Sequence, residues 1–516
     1  MDARKGSITV YLSLILLLLL SLLFAALYSA RVAAGRAVLA GCAEQGMYSL
    51  FAQYDTELYE TYGLLFFDDG YGGSTLQLSA MPEIAMDYAA AAAGGGSSLL
   101  SGKKDLLGIR LADASLDSYT LATDGEGAAF RRQVCQVMKR SLGTAGLQAL
   151  TNRLTASWVT SMQQESAGGD CSEETAEEDY DSLLAAAAEQ AAEQAAASAE
   201  TGDPGVGEAV SGEEETAGQG AEEAESAQAG EGFVNPIESI RQVRKLGILA
   251  NVIADPASVS SCTVDTASLP SGRALQQGMG VVTKKGSSTD KLLQLAYLAE
   301  KFPCYTSEEK GKGLQYQLEY AIAGGSSDRE NLKTTVKKLL RLREAANLLY
   351  LMTDAGASAE AEACGLTIAT LMAMPHAAQG IASIVKVLWA YGESLLDLRE
   401  LLSGGKIALI KDSSSWQLPL SSLHKVQACA DELRHSSSNG LDYSWYLQIL
   451  LMKKSSQELT DRLMDLTEYN MRINGSHPEF SLDCCVDAAE VTLQASLSGQ
   501  ACSVTRRYSY DMEQSG

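Results

Sequence analysis

The sequence predicts an α+β protein. An N-terminal transmembrane helix with a helical stalk leads into a mainly helical ectodomain with short β-strands, interrupted by a disordered acidic linker. Three observations carry this reading. An uncharged run of 21 residues opens the chain, apolar residues recur at helical spacing behind recognisable caps, and one internal segment is acidic without a single Lys or Arg. At 516 residues the chain exceeds one ordinary domain. Its 46% hydrophobic and 20% charged residues exclude a wholly disordered or collagen-like chain. A net charge of −25 argues against nucleic acid as a partner, because phosphate binding needs clustered Lys and Arg. Ten cysteines are too few for a small secreted disulfide scaffold.

Residues 1–7 form a short basic leader with Arg4 and Lys5. Residues 8–28, opening on Ile8 and closing on Tyr28, carry no charge and contain ten leucines. At the α-helical rise they span about 30 Å, the thickness of a bilayer hydrocarbon core. A cleaved secretory signal needs a shorter apolar run ending in small residues at set spacing, and Phe24, Leu27 and Tyr28 break that pattern. The lipid bilayer is therefore the first expected partner. Arg31 and Arg36 behind the span nearly balance Arg4 and Lys5 before it. The N-terminal amine and the acidic body tip the reading towards a cytoplasmic N-terminus and an extracytoplasmic bulk.

Residues 29–62 predict an amphipathic stalk helix. Leu39, Ala43, Met47, Leu50, Phe51, Tyr54, Leu58 and Tyr62 draw one apolar stripe. Anchor and stalk together predict a rod of about 80 Å, with Gly35, Gly41 and Gly46 as bends. Two readings of the stripe stand. It packs on the ectodomain of its own chain, or Met47, Leu50, Phe51, Tyr54 and Leu58 form a surface for neighbouring subunits.

Residues 63–164 predict a first part of the ectodomain, with a strand at YTLAT and a helix at FRRQVCQVMK. The linker follows at 165–232, with 20 Asp and Glu and few large apolar residues. Such a segment cannot bury enough surface to offset its ordering entropy. Residues 233–516 predict a main helical ectodomain with C-terminal strands. Ser327 and Glu330 mark a capping box before Leu332, Val336, Leu339, Leu342 and Ala346. Gly404 and Gly405 stop a second helix. WQLPLSSL, FSLDCCVDAAEVTLQAS and SVTRRYSY predict strands. The apolar stretch 365–391 predicts two packed helices and no second span, since Pro375 splits it and Lys386 would lie inside the bilayer.

The catalytic census is thin. His376, His424, His435 and His477 lack metal-ligand spacing. Ser-x-x-Lys recurs, as at 288–291, 307–310 and 422–425, without companion motifs. Cys484 and Cys485 predict buried thiols, with a bridge to Cys502 as the alternative. No catalytic residue, cofactor or metal is expected.

The phrases KGSITVYLSL, SARVAAGRA, FAQYDTELYETYGLLFFD, LPSGRALQQGMG, YQLEYAIAGGSSDRENL and LWAYGESLLDLRELLSGGKIALIK resemble a clostridial-type domain-of-unknown-function family of TadE/TadG-like membrane-anchored proteins, encoded beside tight-adherence (Tad) pilus genes. The resemblance covers nearly the whole chain outside the linker. It implies a single-pass, cell-envelope, non-enzymatic role as a pseudopilin-like or assembly component, with pilus or pseudopilin proteins as partners. It also implies leader cleavage between Gly6 and Ser7, although the acidic residue that pilins place five residues into the mature chain is Tyr11 here. The alternative function is a membrane-anchored extracytoplasmic hydrolase.

Overall fold

The computed structural model describes residues 3–93, 108–167, 240, 243–244, 246–280, 288–371, 375–426, 436–438, 440–497 and 499–510. The linker of 165–232 lies outside the described residues except for its first three. In chain order the elements are α1 (Ala3–Phe51), α2 (Thr56–Tyr62), β1 (Phe67–Asp68), α3 (Ala80–Ala92), β2 (Ile109–Leu121) and α4 (Asp124–Ala167). After the linker come α5 (Ile248–Val252), α6 (Ser288–Lys301), α7 (Gln317–Ala323), α8 (Asp328–Thr353), α9 (Ala355–Leu371) and α10 (Ala378–Leu402). The chain closes with α11 (Tyr443–Leu451), α12 (Ser456–Asn474), β3 (Cys485–Leu497) and β4 (Gln500–Ser509). The protein is mostly helical with a few antiparallel strands, the predicted class.

Among the described residues α1 alone is long and apolar enough to cross a membrane. Its 49 residues run about 74 Å. The large apolar side chains between Val10 and Tyr28 are all exposed, whereas Leu39, Cys42, Ala43, Met47, Leu50 and Phe51 are buried. The predicted stalk is shorter than the sequence suggests. The helix stops at Phe51, and Asp55 accepts the Leu58 N–H at 2.8 Å to start the separate α2. A good N-cap thus begins a new helix where the apolar spacing alone reads as continuous. The three glycines do not interrupt the helix. Gly35 and Gly46 lie within α1 and are points of close approach, the first to Leu497 and the second to Ala85 and Ala89 of α3.

The described chain forms two compact units that interleave along the sequence and do not follow the linker. Unit 1 takes 1–144, 265–301 and 455–516; unit 2 takes 145–264 and 302–454.

Unit 1 is built on an antiparallel sheet with β3 at its centre. β2 pairs along one side of β3, while β1 and β4 lie end to end along the other, so that Val486 faces both Leu121 and Phe67. The register slips three times in the β2–β3 ladder, leaving Asp487 bulged between Thr120↔Ala488 and Leu121↔Val486. The bulge carboxylate is held by Arg132 at 2.6 Å and Gln133 at 3.1 Å. The predicted C-terminal strands appear as β3 and β4, and YTLAT contributes the end of β2. The buried half of α1 and the Ala-rich face of α3 cover one face of the sheet.

Unit 2 is helical. Ser327 caps α8 by accepting the Glu330 N–H, and Gly404, at φ +90°, follows the end of α10. The apolar stretch 365–391 is divided between α9 and α10, joined through a short 3-10 helix Pro375–Ala377. WQLPLSSL is not a strand: Leu420–Lys425 forms a 3-10 helix. Pro419 lacks a donor for a ladder, and the indole N–H groups of Trp389 and Trp416 instead fix the Leu418 carbonyl, each at 2.7 Å.

Candidate functional site

The stalk stripe was the main sequence-level candidate, and its residues converge on the interior of unit 1. Met47, Leu50 and Phe51 are buried beside Phe67, Tyr119, Val491 and Leu493. The Phe51 ring lies 4.6 Å from Tyr508 and 5.3 Å from Tyr510, whose hydroxyl donates to the Phe51 carbonyl at 2.5 Å. Leu58 is buried on α2, and half-buried Tyr54 packs edge-on against Tyr59 at 5.3 Å. In this structure the stripe packs on its own chain, with Met47, Leu50, Phe51 and Leu58 buried. On α1 the exposed large apolar side chains past the apolar run are Val38 and Tyr48. Gly6 and Ser7 fall within the α1 backbone, while their side chains lie outside the described residues.

A cavity of about 660 Å³ opens in unit 1 between α3 and β2. Glu83, Asp87 and Asp113 supply its charge, and Met86, Leu116 and Tyr119 its apolar wall. Burial pushes the Tyr119 phenol up, with Asp124 and Asp69 adding to the shift. The Ser115 hydroxyl donates to the Asp117 carboxylate at 3.3 Å. Negative charge and methionine side chains suit a cationic, partly apolar group better than nucleophilic chemistry.

Unit 1 also holds a buried polar cluster. The Arg273 guanidinium meets Glu468 at 2.5 Å and Asp483 at 2.8 Å, and also donates to the Ser481 hydroxyl and the Ser268 carbonyl. Arg472 reaches Glu468 at 2.5 Å, and Asp465 accepts both the backbone N–H and the hydroxyl of Ser271. LPSGRALQQGMG is thus stitched to α12 and to the chain entering β3. Burial pushes the Glu468 carboxyl up despite both guanidinium groups. Both terminal nitrogens of Arg273 bond to protein partners, which ties its segment to α12 and to the entry of β3.

Unit 2 carries its own cluster. Arg343, fully buried on α8, donates to Asp397 of α10 at 3.0 Å, to Tyr446 at 3.0 Å and to the carbonyls of Ala408 and Leu409. Lys411 bridges Glu393 at 2.5 Å and Asp397 at 2.8 Å. Two cations thus balance two anions. Nearby in the chain, Glu319 of α7 accepts the Tyr305 N–H at 2.8 Å and the Tyr443 hydroxyl at 2.9 Å through one oxygen, while its other oxygen is buried without a partner. Burial pushes this carboxyl up to about 7, against the hydrogen bonds from Tyr305 and Tyr443 and the charge of Lys310. Neither cluster is marked by a motif in the sequence. Their signal is there, as Arg343, Glu393 and Asp397 interrupt otherwise apolar helical faces.

The remaining motifs stay apart. Among the described residues no three His, Cys, Asp or Glu side chains gather as a metal site. His376 is exposed, His424 and His477 are half-buried, and His435 lies outside the described residues. Ser307 accepts the Cys304 N–H and Lys310 donates to the Cys304 carbonyl, so this Ser-x-x-Lys pair closes a loop. Cys484, Cys485 and Cys502 carry free thiols; burial pushes the Cys484 thiol up to about 12.

No curated protein matches the chain. No solved structure matches it either. The model of a family of unknown function, DUF5702, matches residues 224–497, from before α5 to the end of β3. That region covers more than half of the sequence, and the chain belongs to the DUF5702 family.

Proposed function

We propose that this is a single-pass, membrane-anchored cell-envelope protein, N-terminus in the cytoplasm and folded bulk outside, acting without catalysis as a pseudopilin-like or assembly component of a Tad-type pilus or secretion system. The observation that carries the reading is the continuity of α1. One uninterrupted helix leaves an exposed apolar segment of bilayer length and enters the core of unit 1 with no linker between. A tethered enzyme gains nothing from such rigid coupling, whereas a subunit that must hold a fixed attitude to the membrane and its neighbours does. The pilus-linked part of the reading rests on the sequence phrases quoted above, and the orientation on the basic leader and acidic body.

The test uses whole cells. Carbonate-washed membranes should retain the protein, protease added to intact cells should remove the body, and pilus proteins should co-purify with it. Protection of the body until lysis would reverse the orientation, and co-purification of no pilus protein would end the assembly reading. A second reading, an anchored hydrolase, would need the cavity carboxylates Glu83, Asp87 and Asp113 to work as general acid and base and not as nucleophiles. Turnover of an envelope substrate that is lost on Glu83→Gln and Asp113→Asn would establish it.

A further inference from the structure

We propose that the membrane-proximal end of unit 1 is a second lipid contact, in which Arg31, Arg36 and Arg110 seat the β3–β4 turn and the start of β2 on anionic headgroups. The proposal rests on reading α1 as the membrane span. Gly35 touches Leu497, the last residue of β3: a β-carbon at Gly35 would stand 3.2 Å from the Leu497 side chain. Tyr48, further out along α1, packs on Tyr508 of β4 at 5.2 Å, and Phe51 lies beside Tyr510. The strands of β3 and β4 therefore run along α1, with the turn between them pointing back towards the bilayer. Gly35 lies seven residues beyond Tyr28, about 10 Å along the helix. The headgroup layer outside the hydrocarbon core is about 5–8 Å deep. Gln500 and Ile109 both pair with Leu497, so the turn and the start of β2 share this level.

The charges at this end are segregated. Arg31, Arg36 and Arg110 are exposed. No Asp or Glu occurs in 29–43, 108–112 or 491–505, in a chain whose net charge is −25. Arg110 pairs with Ser496, next to Leu497 and on the opposite sheet face from the α1 contact, so cations flank the turn on both sides. A basic flank of a membrane span would account for Arg31 and Arg36 alone. Arg110 is brought to the same level by the fold, from far along the chain. An anionic surface attracts these groups within a Debye length, while the acidic remainder of the chain is repelled, which fixes the attitude of the unit.

The full chain is reconstituted into vesicles of phosphatidylcholine, with or without phosphatidylglycerol, carrying the photoreactive residue p-benzoylphenylalanine in place of Gln500 or of Arg507. Arg507 lies about 23 Å further along β4. Irradiation should give a lipid adduct at 500 and not at 507, with several-fold more adduct in the mixed vesicles. Arg110→Gln should lower the adduct about fivefold, and high salt should do the same without any substitution. Protein that is retained through a carbonate wash but gives no adduct at 500, or equal adduct after Arg31→Gln, Arg36→Gln and Arg110→Gln together, overturns the proposal and leaves the anchor intact. Release of the protein by carbonate overturns the anchor reading and this contact with it.

Discussion

Gly46 of α1 lies so close to Ala85 of α3 that any β-carbon at position 46 would overlap the Ala85 carbonyl oxygen and stand 3.2 Å from the Ala89 methyl. Backbone atoms of a packed helix cannot retreat as a side-chain tip can. Gly46→Ala should therefore destabilise unit 1 by about 1–3 kcal/mol through overpacking, although alanine favours helix over glycine. The thermal midpoint of the full chain in detergent checks this. An unchanged or raised midpoint would show that α1 and α3 can separate at no cost.

Leu50 and Phe51 are the next test of the same joint. Both are almost wholly buried, and Phe51 adds three ring contacts with Phe67, Tyr508 and Tyr510. Leu50→Ala should cost about 2–5 kcal/mol and Phe51→Ala about 3–5, in each case by leaving a cavity. Proteolysis of unit 1 should rise in both variants while insertion of α1 is preserved, since residues 8–28 are untouched. Normal stability with loss of a binding partner would return these residues to a surface role.

In unit 2 the ion cluster makes a sharper prediction. Asp397 sits between Arg343 and Lys411 in the interior. Burial opposes its ionisation, yet the Lys411 ammonium and the Arg343 guanidinium prevail and hold the carboxyl below its usual range. A depressed carboxyl contributes stability that is present above its unfolded value, about 3.9, and is lost as the pH falls through the folded value. Asp397→Asn leaves two buried cations facing Glu393 alone and should cost about 3–5 kcal/mol at neutral pH. Chemical denaturation of the variant near pH 7 measures the cost.

How far the sequence showed these features depends on the range of the interaction. Periodicity and caps are local, so α1, α8 and α10 could be read directly, as could the stop at Gly404. The end of α1 at Phe51 could not, because the apolar spacing continues through Tyr54 and Leu58 while Asp55 quietly starts another helix. β1 has two residues and β2 three register shifts, so neither shows the regular alternation that marks a strand. The apolar side of the stalk was legible as a stripe, but a stripe does not say what covers it. Only the pairing of β3 with β4 supplies Tyr508 and Tyr510 as that cover. The complete capping box of α12, Ser455 with Glu458, was present in the sequence and overlooked.

Glu319 should make the protein less stable as the pH rises from about 4.5 to about 7. Its carboxyl is enclosed, with one oxygen bonded to Tyr305 and Tyr443 and the other without a partner, and burial raises it to about 7. In that window the folded protein keeps a proton that the unfolded chain has released, so stability falls with pH, at up to about 1.4 kcal/mol per pH unit. Below the window both states hold the proton, and above it neither does. Glu319→Gln removes the titration while keeping an oxygen for Tyr305 and Tyr443. Plotted against pH, the difference in thermal midpoint between variant and wild type should climb in favour of the variant across the window and be level on either side. Asp69, raised to about 6 by burial in unit 1, is present in both proteins and cancels from the difference. A flat difference from pH 4 to pH 8 would show that Glu319 is solvated or already paired, and that the unpartnered oxygen finds a donor.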